Sequence, residues 1–135
     1  MFKKIYNDFI IRKYKTDEIK NLVLLYAISI FLDKKIKDIE IVSANNLLYE
    51  IIEEKYDDIS LNEEKLLAEH YLSMLKEKLI LYKNDDYSFE MDKIKVLNNL
   101  KKNENKINAI KKIIKSDNEI SPEEKDFLQQ IKELL

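Results

Sequence analysis

Not one of the 135 residues is glycine, and only Pro122 is a proline. Glycine is the residue that takes positive φ without strain and lets a backbone approach a ligand closely, so its absence removes whole classes of chemistry. Walker A loops, dinucleotide-binding GxGxxG turns, the G-x-S-x-G nucleophile elbow and Asn-Gly or Asp-Gly hairpins are all excluded. No cysteine occurs either. That excludes thiol nucleophiles, cysteine-ligated zinc, iron–sulfur clusters and disulfides, and leaves the redox compartment open. What remains is 45% hydrophobic and 37% charged, proportions that suit a helix-rich globular chain. The length fits a single domain over residues 1–135, and a core of that size needs no metal or disulfide staple.

The apolar spacing is helical from end to end, and seven helices are expected. The first, about 2–14, places Phe2, Ile5, Tyr6, Phe9 and Ile10 on one face. The second runs from a cap near Thr16 to Leu32 and is apolar nearly all round in its last two thirds, which marks it as the central helix. The third, about 38–56, aligns Ile41, Ala44, Leu48, Ile51 and Ile52; the β-branched run from Ile36 to Ile41 is the one stretch with strand character. Ser60 and Glu63 form a capping box that opens the fourth helix, which continues to about Tyr82 with Leu61, Ala68, Leu72, Leu75 and Leu79 inward. Lys83 to Asp86 reads as a linker, after which Ser88 or Asp86 caps a fifth helix with Phe89, Val96, Leu97 and Leu100 inward. A weaker break at Asn103 to Asn105 precedes a short sixth helix with Ile107, Ile110, Ile113 and Ile114. Ser121, Pro122 and Glu124 supply the cap, the first-turn proline and the box glutamate of the seventh, whose buried side is Phe127, Leu128, Ile131 and Leu134. The longest apolar run, Leu22 to Leu32, has 11 residues, well short of the roughly 20 that cross a bilayer. The opening MFKKIYNDFIIRKY has no continuous apolar region and no small-residue cleavage site, so a cytoplasmic location is expected.

The formal charge of −2 conceals strong segregation. Residues 1–40 carry 9 basic and 6 acidic side chains, residues 41–92 carry 5 and 13, residues 93–115 carry 8 and 1, and residues 116–135 carry 2 and 6. Acidic and basic faces follow from that distribution.

A short pattern repeats. Asp33 to Glu40 and Asp117 to Glu124 both read D-x-x-I-x-x-x-E, and each follows an apolar helix and leads into an acidic helix start. A shuffled chain of this composition is expected to hold roughly 0.2 such matches, so two copies argue for a pair of related helix–turn–helix units. Asp57 to Glu64 is a weaker echo with Ile59 one residue early. Two readings stand side by side. In one, the Asp accepts from a nearby amide, the Ile wedges between the helices and the Glu closes a capping box. In the other, the two loops converge and offer Asp33, Glu40, Asp117 and Glu124, with Glu119, Glu123 or Asp38, as oxygen ligands to a hard cation such as Ca²⁺ or Mg²⁺.

The doubled Asp-x-x-Ile-x-x-x-Glu after an apolar helix, in a chain of this size and helical pattern, resembles the tellurite-resistance TerB-like family, which includes the N-terminal domain of a membrane-anchored J-domain co-chaperone. The resemblance covers about residues 18–135. It implies a bundle of about seven helices, a divalent cation associated with the acidic motifs at Asp33, Glu40, Asp117 and Glu124, no catalytic activity, and a stress-response interaction module working near the inner membrane. Ser121 matches the family serine, whereas Lys37 does not, and Lys34 and Asn118 stand where the family usually has glycine. A lysine beside Asp33 competes with any cation there.

Other residues carry weaker signals. His70 is the only histidine and has no serine partner at a recognisable spacing, and the 26 acids show no pair marked out for acid–base work. The lysines of 93–115 have neither arginine nor interleaved aromatics among them, which argues against nucleic acid. Eight tyrosines are enough for a partner-binding patch. The expected protein is therefore an all-α, non-enzymatic adaptor that binds another protein, with peripheral association with a membrane complex. The competing expectation is an immunity protein or antitoxin that covers a toxin's basic site with the acidic 41–92 segment.

Overall fold

In the computed structural model the described residues are 2–14, 17–100, 104–117 and 120–133, with the side chains of 99, 100, 104, 105 and 117 outside the description. They form seven α-helices and no strand: α1 (Phe2–Tyr14), α2 (Asp17–Phe31), α3 (Asp38–Lys55), α4 (Leu61–Asn84), α5 (Asp86–Leu100), α6 (Glu104–Ile114) and α7 (Pro122–Glu133), with a 3₁₀ turn at Lys115–Asp117. The β-branched Ile36 to Ile41 stretch enters α3 at Asp38, because no neighbouring strand exists to pair with it.

The nearly all-apolar second helix lies at the centre. Ten of the residues of α2 are buried, and it packs against α3, α4, α5 and α6. Burial of each large side chain there contributes about 1.5–3 kcal/mol. Ser29, fully buried among them, donates its hydroxyl to the Leu25 carbonyl at 2.9 Å, which satisfies it within the helix. The sixth helix behaves as its spacing predicts, with Ile107, Ile110, Ile113 and Ile114 all buried. Among the described residues no helix is long and apolar enough to cross a membrane.

Three expectations need correction. The first helix packs by a different face: Ile10 is buried, whereas Phe2 (88%), Ile5 (60%), Tyr6 and Phe9 (61%) are exposed. Leu61, expected inside α4, is 83% exposed because it opens the helix beyond the edge of the core; Leu67, Tyr71 and Tyr82 join Ala68, Leu75 and Leu79 inside instead. The linker at Lys83 to Asp86 shrinks to Asp85 alone. Its amide donates to the Leu81 carbonyl (2.8 Å) and closes α4, while its carboxylate accepts from the Ser88 hydroxyl (2.7 Å) and amide (3.4 Å) at the start of α5. One extended residue thus caps both helices, in the place given to Ser88 or Asp86. Thr16 and Leu134, and the side chain of Leu100, lie outside the described residues.

Ser60 and Glu63 close the capping box, with Glu63 N to Ser60 Oγ at 3.1 Å and Ser60 N to Glu63 Oε1 at 3.2 Å. Those bonds hold the Glu63 carboxyl below its ordinary range. Lys55, hydrogen-bonded at 2.6 Å, does the same to Glu18. Glu64 is opposite: burial first, then a hydrogen bond and repulsion from Glu53, push its carboxyl above the usual 4.5. A raised carboxyl favours the folded state below its unfolded pKa, and that contribution is lost as pH rises through the folded value. Glu64→Gln, which mimics the protonated form, is therefore expected to be more stable than the wild type near about pH 7, with the gap closing towards about pH 4. Glu18→Gln is expected to be less stable near neutrality, and that gap also closes as the pH falls, since a lowered carboxyl contributes only above its folded pKa. Urea melts at both pH values measure each gap.

Candidate functional site

The two Asp-x-x-Ile-x-x-x-Glu joints are alike in two respects. Glu40 is the third residue of α3 and Glu124 the third of α7, and both side chains are almost completely buried. The isoleucines match as well, Ile36 and Ile120 each being 38% exposed. That exposure corrects the expected wedge: neither side chain is enclosed between the helices it joins.

The two starts are capped differently. At the second joint Ser121 Oγ accepts from Glu124 N (3.1 Å) and Glu124 Oε1 accepts from Ser121 N (2.9 Å), a complete capping box. At the first, Lys37 is the N-cap and its side chain makes no capping hydrogen bond. Asp33 turns that loop instead: its Oδ1 accepts from the Lys35 amide (3.1 Å) and its Oδ2 lies 3.5 Å from Lys37 Nζ. The lysine expected to compete with a cation thus already occupies the carboxylate. Lys34 takes φ 63°, the left-handed backbone that glycine supplies elsewhere.

Whether these acids can share a cation depends on their convergence. Among the described residues no group of three or more His, Asp or Glu side chains is placed to hold a metal ion. The Asp117 carboxylate and Glu119, on which the two-loop arrangement also draws, lie outside the described side chains. Ser121→Ala is expected to cost about 1–2 kcal/mol in a urea melt, since it removes one partner of a box whose glutamate is buried.

A second site was not foreseen from the sequence. Between α3 and α6, with α2 beneath, runs a groove of about 970 Å³. Leu22, Leu47, Ile51 and Ala109 supply apolar lining; Glu50 and Glu54 of α3 line one side together with Lys55, whose charge is paired with Glu18, and Lys111, Lys112 and Lys115 line the other. Tyr26 of α2 also borders it, fully buried. Its hydroxyl has no hydrogen-bond partner among the described residues, and burial, with the Glu50 carboxylate adding to it, raises the phenol above its ordinary pKa. A buried hydroxyl without a partner costs about 1–3 kcal/mol. Tyr26→Phe is accordingly expected to stabilise the isolated protein by about 1 kcal/mol in denaturant melts. Charge segregation along the chain announced acidic and basic faces but not that they would oppose each other, which is a consequence of how α3 and α6 pack on α2.

His70 is half-buried on α4, with its ring 5.2 Å from that of Tyr71. Comparisons with protein-family models, with curated proteins and with solved structures give no significant match.

Proposed function

We propose that this chain is a non-enzymatic helical adaptor of the cytoplasm, a TerB-like stress-response module that works by binding another protein. The observation that carries this reading is the groove between α3 and α6, with its apolar lining and walls of opposite charge. Such a groove suits an amphipathic helix whose apolar stripe lies on Leu22, Leu47 and Ile51, with acids towards Lys111 and Lys112 and bases towards Glu50 and Glu54. Opposed charges fix the direction in which that helix lies, because reversing it sets like charges together. A divalent cation at the Asp33/Glu40 joint, where it would have to displace Lys37 from the Asp33 carboxylate, and at the Asp117/Glu124 joint would modulate binding by stiffening the turns at the ends of α2 and α6.

The test is affinity capture from the native host, read by mass spectrometry, with three baits: wild type, Lys111→Glu/Lys112→Glu, and Glu50→Lys/Glu54→Lys. A protein retained by the wild type and at least about tenfold depleted from both variants supports the adaptor. Equal retention on all three rejects the groove as its site. For the cation, calorimetry and thermal shifts with Ca²⁺, Mg²⁺ and Zn²⁺ are read on the wild type and on Asp117→Ala; no response withdraws the cation and leaves the adaptor.

One observation favours a second reading, an immunity protein or antitoxin. Glu53, Glu54, Asp57 and Asp58 are all exposed around the α3–α4 joint, a concentrated acidic corner that suits a basic active site. A toxin gene immediately beside this one would favour it, whereas neighbouring stress or envelope genes favour the adaptor.

A further inference from the structure

The first helix is apolar on two sides and uses only one. At about 3.6 residues per turn, Asn7, Ile10, Ile11 and Tyr14 share a side; Ile10 is buried, the other three are half-buried, and the helix packs chiefly on α4. Its inner end is fixed at the end of α3: the Tyr56 hydroxyl donates to the Tyr14 carbonyl, and the two rings meet edge to face at 5.0 Å. Phe2, Ile5 and Phe9 stand on the opposite side, each at least 60% exposed, with the half-exposed Tyr6 at their margin. Large apolar side chains concentrated on an outer face mark an interaction surface.

Charge decides what covers it. The helix carries Lys3, Lys4, Arg12 and Lys13 against one acid, Asp8, so it is +3 within a chain of net −2. Arg12 lies along one margin of the apolar side and Lys13 along the other, with Asp8 and then Lys4 further round beyond Arg12, so a cation borders it on each side. A second copy docking symmetrically would bring two such cationic helices together. The geometry points to an anionic lipid surface as the occupant, with α1 lying in the plane of the headgroups, Phe2, Ile5 and Phe9 inserted and the basic side chains against lipid phosphates. Because α1 is at the edge of the bundle and packs chiefly on one helix, its outer side can meet a plane. Glu63 of α4 interacts electrostatically with Lys13, which also sits 5.0 Å over the Tyr14 ring. The inference involves a different helix from the partner groove and does not depend on it.

The experiment is co-sedimentation of the full chain with phosphatidylcholine vesicles and with vesicles containing about one third phosphatidylglycerol, at low and high salt. Three proteins are compared: wild type, Phe2→Ser/Ile5→Ser/Phe9→Ser, and Lys4→Gln/Arg12→Gln. All the substituted side chains are exposed, and circular dichroism with a thermal melt verifies that each variant is folded. Binding of the wild type to anionic vesicles alone is expected, lost in the apolar triple variant and weakened about 25-fold in the charge variant, at about fivefold per basic side chain. Failure to bind either vesicle, or equal binding by all three proteins, overturns the proposal. Analytical ultracentrifugation of the same samples reads the rival occupant: a wild-type dimer that dissociates in the triple variant, without vesicle binding, assigns the face to a second copy.

Discussion

Phe89→Ala is expected to lower the unfolding free energy by about 3–5 kcal/mol, read as a shift of the urea midpoint. Phe89 is almost completely buried where α2, α4 and α5 meet, with its ring 5.1 Å from that of Phe31 and 5.5 Å from that of Tyr82, both edge to face. Truncation removes the ring's burial and both aromatic contacts and leaves a void between three helices, so the loss belongs at the large end for core substitutions. A further consequence reaches the first joint. Lys34 Nζ lies 4.0 Å from the centre of the Phe89 ring, 2.5 Å from Asp86 and 3.7 Å from Glu90. These contacts hold Lys34 in its left-handed conformation, which costs a residue with a Cβ about 1–2 kcal/mol. Lys34→Gly in the wild type relieves that cost but forfeits an exposed ion pair and the ring contact, for a net change near zero. In the Phe89→Ala background the closer of its two ring contacts is already absent, leaving only Phe31 at 5.4 Å, and the same substitution is expected to stabilise. A double-mutant cycle reads the difference as coupling between residues 34 and 89.

How much of this was legible follows from what is local. Helix existence and most inward faces depend on spacing within one segment, and α2, α3, α6 and α7 are as the periodicity describes them. Capping chemistry is local too: the Ser60/Glu63 and Ser121/Glu124 boxes form as the sequence spells them. Faces failed where a helix has two apolar sides, since periodicity in α1 cannot say whether Ile10 or Phe9 turns inward; the position of α4 decides it. The linker at Lys83 to Asp86 misled for another reason. Four polar residues suggest a loop, but Asp85 bonds to both helices at once, and a single residue suffices. The groove was beyond reach because its walls are about 60 residues apart along the chain, from Glu50 to Lys111, and only tertiary packing opposes them. At the acidic joints the sequence pointed to a lysine competing for the Asp33 carboxylate, and Lys37 takes it, but the pattern did not foretell that Glu40 and Glu124 would be almost completely buried.

Ala68→Leu is expected to destabilise the bundle by about 3 kcal/mol, at the upper end of what overpacking costs. Without glycine, alanine is the smallest residue available, and the chain has only Ala27, Ala44, Ala68 and Ala109. Three of these are fully buried, one each on α2, α3 and α4. Those three helices form the most closely associated part of the fold, with α4 lying against both α2 and α3. Small side chains let helix axes come together, and interaxial distance follows the bulk of the side chains at the contact. An isobutyl group at residue 68 competes for space in a part of the core where Leu67, Tyr71 and Leu75 on the same helix are themselves fully buried. It must push one neighbouring helix away and loosen contacts along a whole interface. Ala109 is the control. It is half-buried at the border of the groove, and Ala109→Leu is expected to change stability by less than about 1 kcal/mol while narrowing the channel that the partner helix would occupy. Urea melts of both variants, together with capture on the Ala109→Leu bait, separate the alanines that set helix spacing from the one that leaves room for a ligand.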